Sequence, residues 1–460
     1  MNLFQIALKN MRQRGLASLL TMLSVALGVA LMVAVLLIHG VLGRQFSQSG
    51  SGYNLIIGPE GSPTQLVLST VYRIENPIQN MPWRYYKKWA VDPRVELAVP
   101  LAFGDSTEEG DFPVIGTTPQ YFKLPYARTP KPQSYRIGEN QSFLRGSWDA
   151  VIGSEVARRN GWGIGSQFQL VHGGQKGEDA HVHDEKFTVV GVLQPTGTPN
   201  DRSCFVHIDG FHMLAGHENP IREAIVRESQ FFHESIEELT KRYEQDLINE
   251  AREQEYLKKN PKHAAHPGPD VSKEVTSILI VTKGDEGDEL IRSSRALDIQ
   301  SELGEDTAAQ AVPPVGVMDK IMRTFVTPVQ MAFLVLTGLI LVVSAIGIFV
   351  SIYNSMAERR REIAIMRALG AQRRTVFLMI LCETLLLCLG GGVLGLLLAH
   401  SLMIITGPML EAYTGILVNR WAVSPWELVI LPVTLLVATL SGLIPSVTAY
   451  QTDVAETLAS

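Results

Sequence analysis

Four runs of about 20 or more mostly apolar residues stand out along the chain, at about Ala17 to Leu42, Val329 to Met356, Thr375 to Thr406 and Pro425 to Tyr450. An α-helix rises about 1.5 Å per residue, so each run is long enough to cross a hydrocarbon layer of roughly 30 Å. The pattern divides the chain into an N-terminal segment (1–16), a first span (17–42), a large intervening domain (43–327) and three further spans (329–356, 375–406 and 425–450). Segments 357–374 and 407–424 connect the later spans, and 451–460 forms a tail. The predicted fold class is a membrane protein of four transmembrane α-helices in a 1 + 3 arrangement, with a large α+β domain inserted between the first and second spans.

Within the intervening domain the period changes. Short runs rich in β-branched and aromatic residues recur at Tyr53–Ile57, Val95–Leu101, Phe112–Ile115, Ala150–Ile152, Phe168–Val171, Phe187–Leu193, Cys204–Ile208 and Ser277–Thr282, and predict strands. Ser154 is placed to cap a helix running to Asn160, with Gly161 ending it. From Ile221 to Asn260 the chain is dense in charge, with Ile236, Leu239, Tyr243, Leu247 and Ala251 three or four apart, which predicts one long helix with a narrow apolar stripe. Pro261 ends it, and 221–270 as a whole reads as a charged helical insertion and linker, lying on its own domain or reaching a partner. The size of the domain predicts two lobes.

Composition and charge refine this reading. A hydrophobic content of 46% is high for a soluble protein of 460 residues, and the excess lies in the four runs. The first run, behind Lys9, Arg12 and Arg14, is about twice the length of a signal-peptide core and reads as a retained anchor. Basic residues near the spans place the N-terminal segment and 357–374 in the cytoplasm and the large domain outside. A net charge of −6, with no basic face concentrated in the large domain, excludes nucleic-acid binding. Cys204 is the sole cysteine of that domain, so its stability rests on an ordinary core rather than on an intrachain disulfide.

Candidate functional residues fall in three places. The segment Glu358–Arg374, ERRREIAIMRALGAQRR, carries six Arg and two Glu, with Ile363, Met366 and Leu369 three apart and Gly370 as a stop, and predicts an amphipathic helix built to dock on a partner. In the spans, Ser24 and Gly28, Gly347 and Ser351, and Gly391 and Gly395 form small-xxx-small pairs that permit close helix contact. Glu383 is an acid well inside the third span and requires a partner, a proton or water. Nine of the eleven histidines lie between His172 and His266, and His181 and His183, flanked by acidic residues, are candidate ligands for a surface zinc or copper ion. An i, i+2 pair in a polar loop is more often a solvated turn than a site. No nucleophile elbow, HExxH helix or paired cysteine site occurs, and no Gly-x-x-x-x-Gly-Lys-Ser/Thr loop, so no catalytic residues are assigned and ATP hydrolysis is not expected of this chain.

On these residues the chain resembles the permeases of the FtsX and MacB type from ATP-binding-cassette systems. The family pattern ERxxEIxxxRALGAxxxxV is met by Glu358, Arg359, Glu362, Ile363, Arg367, Ala368, Leu369, Gly370, Ala371 and Val376. Glu383 with Gly390, Gly391, Gly392 and Gly395 matches the third span, and Val151–Leu170 and Phe187–Leu193 resemble the MacB-like core domain. The resemblance implies that 357–374 is a coupling helix seated in a groove of a separate ATPase, present in two copies that hold the ATP and Mg. Ile363, Met366 and Leu369 would fill the groove, and Glu358, Arg359, Arg361, Glu362 and Arg367 would set the register. It further implies a second permease subunit in a homodimer, a periplasmic adaptor, and a place in the bacterial inner membrane with the large domain on the extracytoplasmic side. The implied function is to couple ATP hydrolysis to movement of that domain, for export or extraction of a cargo. The alternative is mechanotransmission that activates an extracytoplasmic partner such as a cell-wall hydrolase without transport. The chain departs from the family in having no basic residue after Arg420, and in the 221–270 insertion.

Overall fold

The computed structural model describes residues 3–48, 52–74, 76–127, 132–172, 181–214, 216–217, 219–259, 268–284, 288–306, 308–358, 360–414 and 427–451. The chain resolves into two compact units, Arg44–Ile321 and a second formed by Met1–Gly43 with Met322–Ser460.

The first unit is built on one eleven-stranded sheet. In chain order its strands are β1 (Leu55–Pro59), β2 (Val95–Thr107), β3 (Pro113–Thr117), β4 (Asp149–Ile152), β5 (Gln167–Phe168) and β6 (Leu170–His172). The rest are β7 (His181–Val182), β8 (Phe187–Val192), β9 (Cys204–His207), β10 (Ser277–Thr282) and β11 (Ala309–Val312). The spatial order is β11-β1-β10-β2-β3-β9-β4-β8-β5, while β6 pairs with the far end of β2 and with β7. Pairing is antiparallel except for β9 on β3 and β8 on β4. Successive side chains of a strand point to opposite faces, and here both faces are covered. Leu55, Ile57, Ile278 and Ile280 enter one core, and Ile56, Val99, Leu101 and Leu279 the other. This double burial is why these strands are nearly continuous apolar runs in the sequence.

Three expectations are corrected. The one sheet draws its strands from both sides of the 208–276 segment, and Arg44–Ile321 clusters as one unit rather than two lobes. The charged segment is three helices, Ile221–Phe232, Ile236–Arg242 and Glu244–Lys259, because His233 adopts a left-handed φ of 54° and Ser235 caps the next helix by accepting from the Glu237 N–H at 3.2 Å. Ile221, Ala224, Ile225 and Leu239 are buried together with Val271, so this part of the segment packs on its own domain. The helix Ser154–Asn160 starts one residue early, with Gly153 at the N-cap. A Cβ at Gly153 would lie 2.3 Å from the Asp201 carbonyl oxygen and 2.4 Å from that of Asn200, so close backbone contact decides the residue there.

The second unit holds four helices long and apolar enough to cross a membrane, within Gly15–Gln48, Thr327–Glu358, Arg373–Thr414 and Glu427–Gln451. The small residues bring them together within one chain. A Cβ at Gly391 would lie 2.8 Å from the Met22 carbonyl oxygen, and one at Gly395 would lie 2.6 Å from that of Ala26, so the third helix runs against the first. Ser24 Oγ meets Ser344 Oγ at 2.8 Å, and Gly28 faces Leu341 and Ile340 of the second helix. Gly347 has open space around it, and Arg14 donates to the Ser351 carbonyl at 3.3 Å.

Candidate functional site

Between the second and third long helices, Arg360–Ala368 forms a helix of nine residues. Gly370 takes φ 102°, its N–H donates to the Arg367 carbonyl and that of Ala371 to the Met366 carbonyl, each at 3.0 Å. These two crossed bonds satisfy the last carbonyls and fix the turn into the third long helix. Ile363 and Ala364 are buried, the former as part of the apolar cluster that also holds Ile348, Ile352, Val376 and Ile380, with Met366 packed on the same cluster.

This corrects the expectation that Ile363, Met366 and Leu369 share one partner-facing stripe. A helix turns about 100° per residue, so each step of three falls back by about 60°. Ile363 therefore seats the helix on its own unit, while Leu369 is 83% exposed and Ile365 46% exposed. Arg367 is half-buried. Arg359 and the side chains of Glu358, Arg361 and Glu362 lie outside the described residues. Glu383, farther along the third helix, is buried beside Thr384, which packs against Gly442.

A second site lies in the Arg44–Ile321 unit, where β2 changes partners. Gly104 adopts φ 148° and the register with β3 shifts between Phe103 and Ser106, so the end of the strand turns onto β6. Bulges of this kind re-aim the side chain that follows. Asp105 then stands directly opposite His172 in the new pairing, and its Oδ1 is 3.0 Å from His172 Nδ1. His183 follows β7, and its Nε2 is 3.5 Å from Asp105 Oδ2. His217, beyond the short helix Ile208–His212, places Nε2 3.0 Å from the same oxygen and packs against Phe211 with ring centroids 4.4 Å apart. One candidate ligand atom from each of the four residues lies within 4.8 Å of the others.

Asp105, His183 and His217 have side chains only 1%, 1% and 6% exposed, whereas that of His172 is 58% exposed. The contacts of His183 and His217 with Asp105 lack hydrogen-bond alignment. Asp105 Oδ2, both His183 nitrogens and His217 Nε2 consequently have no hydrogen-bond partner among the described residues. Burial opposes ionisation of Asp105, but the three surrounding imidazoles outweigh it and hold the carboxyl well below the ordinary carboxylate range. The Asp105 hydrogen bond in turn raises the pKa of His172.

Of the histidine pair expected to act together, only His183 belongs to this group. His181 is exposed, with its ring centroid 5.8 Å from that of His183. Sequence reading missed Asp105, His172 and His217. The density of histidine between 172 and 266 was the available signal, but nothing local points from it to an aspartate 67 residues before His172.

Residues 334–453 match the model of the FtsX-like permease C-terminal family, and residues 18–230 that of the MacB-like periplasmic core domain. An uncharacterised ABC transporter permease of Methanocaldococcus jannaschii is 26% identical over 285 residues, which is 61% of this chain and 57% of that protein. A macrolide export ATP-binding/permease protein MacB of Bordetella avium is 34% identical over 119 residues, 26% of this chain and 18% of that protein. The chain therefore spans less than two thirds of the length of either relative. The periplasmic region of MacB from Actinobacillus actinomycetemcomitans aligns over 60% of this chain and 95% of its own, with 11% identity and a TM-score of 0.32.

Proposed function

Since this chain belongs to the FtsX/MacB type of ABC transporter permease, we propose that it couples ATP hydrolysis on a separate ATPase subunit to movement of its Arg44–Ile321 domain, for export or extraction of a cargo. The observation that carries this reading is the helix Arg360–Ala368, closed by the crossed bonds at Gly370 just before the next long helix and seated through Ile363, with Leu369 and Ile365 left outward. An apolar knob on a short anchored helix suits a groove on a partner, and a push there is transmitted directly into two long helices. The ATPase would sit on the cytoplasmic side, in two copies holding ATP and Mg, and serve a permease homodimer. The large domain would stand on the extracytoplasmic side of the inner membrane. Glu358, Arg359, Arg361, Glu362 and Arg367 would set the register of docking. Glu383 serves as a structural carboxylate in the third helix. Cargo handling is preferred to mechanotransmission because the eleven-stranded domain is a large body for a simple lever, and because a relative is named for macrolide export.

The test is Leu369→Asp in the permease–ATPase complex in lipid discs. At an exposed position the change should alter stability by no more than about 0.5 kcal/mol. ATPase stimulation by the permease should nevertheless fall at least tenfold, with insertion unchanged. Full stimulation in the variant would remove the basis of the reading.

A further inference from the structure

The four groups around Asp105 combine features that ordinary packing does not explain. Leaving a buried polar atom unsatisfied costs about 1–3 kcal/mol, and native interiors hold few such atoms. Here Asp105 Oδ2, His183 Nδ1, His183 Nε2 and His217 Nε2 share that condition at one place. The shortage is of something positive and multivalent, since one carboxylate is set against three imidazoles and, among the described residues, no Lys or Arg pairs with it.

The spacing answers that shortage. A tetrahedral ion with bonds of about 2.0–2.1 Å holds its ligand atoms about 3.3 Å apart. The contacts to Asp105 are 3.0 Å from Oδ1 to His172 and 3.5 and 3.0 Å from Oδ2 to His183 and His217, and one ligand atom from each of the four residues lies within 4.8 Å of the others, so closing the set to that distance takes side-chain shifts of about 1.5 Å at most. Neutral imidazole with carboxylate is a donor set for zinc and its divalent neighbours. Calcium and magnesium prefer oxygen alone, and copper(I) prefers sulfur.

We propose that Asp105, His172, His183 and His217 form a binding centre for one divalent transition-metal ion of the zinc class. His172, at the solvent edge, is the ligand through which the ion enters, and the three buried groups are its floor. Occupancy ties β2 to the β6–β7 pair and to the segment after Ile208–His212. This centre does not depend on the proposed role of the helix Arg360–Ala368.

The experiment uses the full chain in lipid discs, stripped with a chelator, loaded with zinc chloride, desalted and measured for metal by mass spectrometry. The wild type should retain about one zinc per chain, and His181→Ala should retain the same. His183→Ala/His217→Ala should retain none. His172→Ala, a change at an exposed side chain that the fold tolerates, should weaken zinc affinity at least about tenfold, the loss that even an outer-shell change causes. Cobalt(II) in place of zinc should give the intense visible absorption of a tetrahedral site. No retention by the wild type, or affinity unchanged in His172→Ala, or the weak spectrum of an octahedral surface ion, would each overturn the assignment. If the double variant does not fold, His172→Ala and the cobalt spectrum decide alone.

Discussion

Two polar clusters occupy the same domain, a partly exposed one around Arg84 and a more deeply buried one around Asp105, and they are put together differently. Arg84 donates to Glu228 at 3.1 Å and to both oxygens of Glu234 at 2.7 and 3.1 Å, with the Phe232 ring 4.1 Å from its guanidinium carbon. The Tyr243 hydroxyl reaches both oxygens of Glu228, at 3.0 and 3.1 Å, and Arg242 closes the set on Glu234. Donors match acceptors, and Glu228, only 1% exposed, is fully engaged. Around Asp105 the donors and acceptors do not balance among the described residues, and one ligand atom from each of four residues lies within 4.8 Å of the others. A balanced cluster is complete in itself and has a structural role. An unbalanced one at ligand spacing has room for a guest, and that distinction holds although each has a buried carboxylate at its centre.

The largest test of this contrast is Arg84→Met. It strands the Glu228 carboxylate in the interior and should cost about 3–5 kcal/mol, read as a lower midpoint of thermal unfolding of the full chain, and zinc should not restore it. A loss below about 1 kcal/mol would show that the network is too wet to matter.

Next comes a buried histidine that does have a partner. His212 Nε2–H donates to the Glu274 carbonyl at 2.7 Å, and burial depresses its pKa from 6.5 to about 4. The unfolded chain therefore takes up a proton in this window that the folded chain refuses. Stability present above about pH 6.5 is lost as the pH falls through about 4, by about 3 kcal/mol. With chelator present, His212→Asn should flatten that part of the acid-unfolding curve, and an unchanged pH profile would refute this account. The smallest effect is expected of Tyr243→Phe. Burial, followed by the Glu228 charge, pushes the Tyr243 hydroxyl up to about 12, and removing its bond to a buried carboxylate should cost about 1.5 kcal/mol in the same unfolding measurement.

Parts of this molecule were plain in the sequence. The runs Val95–Leu101, Cys204–Ile208 and Ser277–Thr282 were legible as strands because a sheet covered on both faces makes most positions apolar. Ala309–Val312 was not, since Ala and Gln carry little strand signal and its place at the sheet edge comes from pairing with β1. The helix Arg360–Ala368 and its stop were legible because Gly370 acts through its own backbone, but the face it buries was not, since that depends on where Ile348 and Val376 stand. The break at His233 escaped notice because a non-glycine residue with positive φ leaves little trace in composition.

By itself, then, the sequence determined the existence and order of the four apolar helices, the short helix and glycine stop between the second and third, and the mixed strand pattern of the domain between the first two. Each of these follows from interactions among near neighbours in the chain, or from the match between an apolar length and a hydrocarbon layer. Only the tertiary structure decided that Gly391 and Gly395 serve contact within one chain, that Ile363 faces inward, and that Asp105 meets His172, His183 and His217. Those outcomes rest on strand register and on the turn at Gly104, which bring together groups that no spacing rule connects.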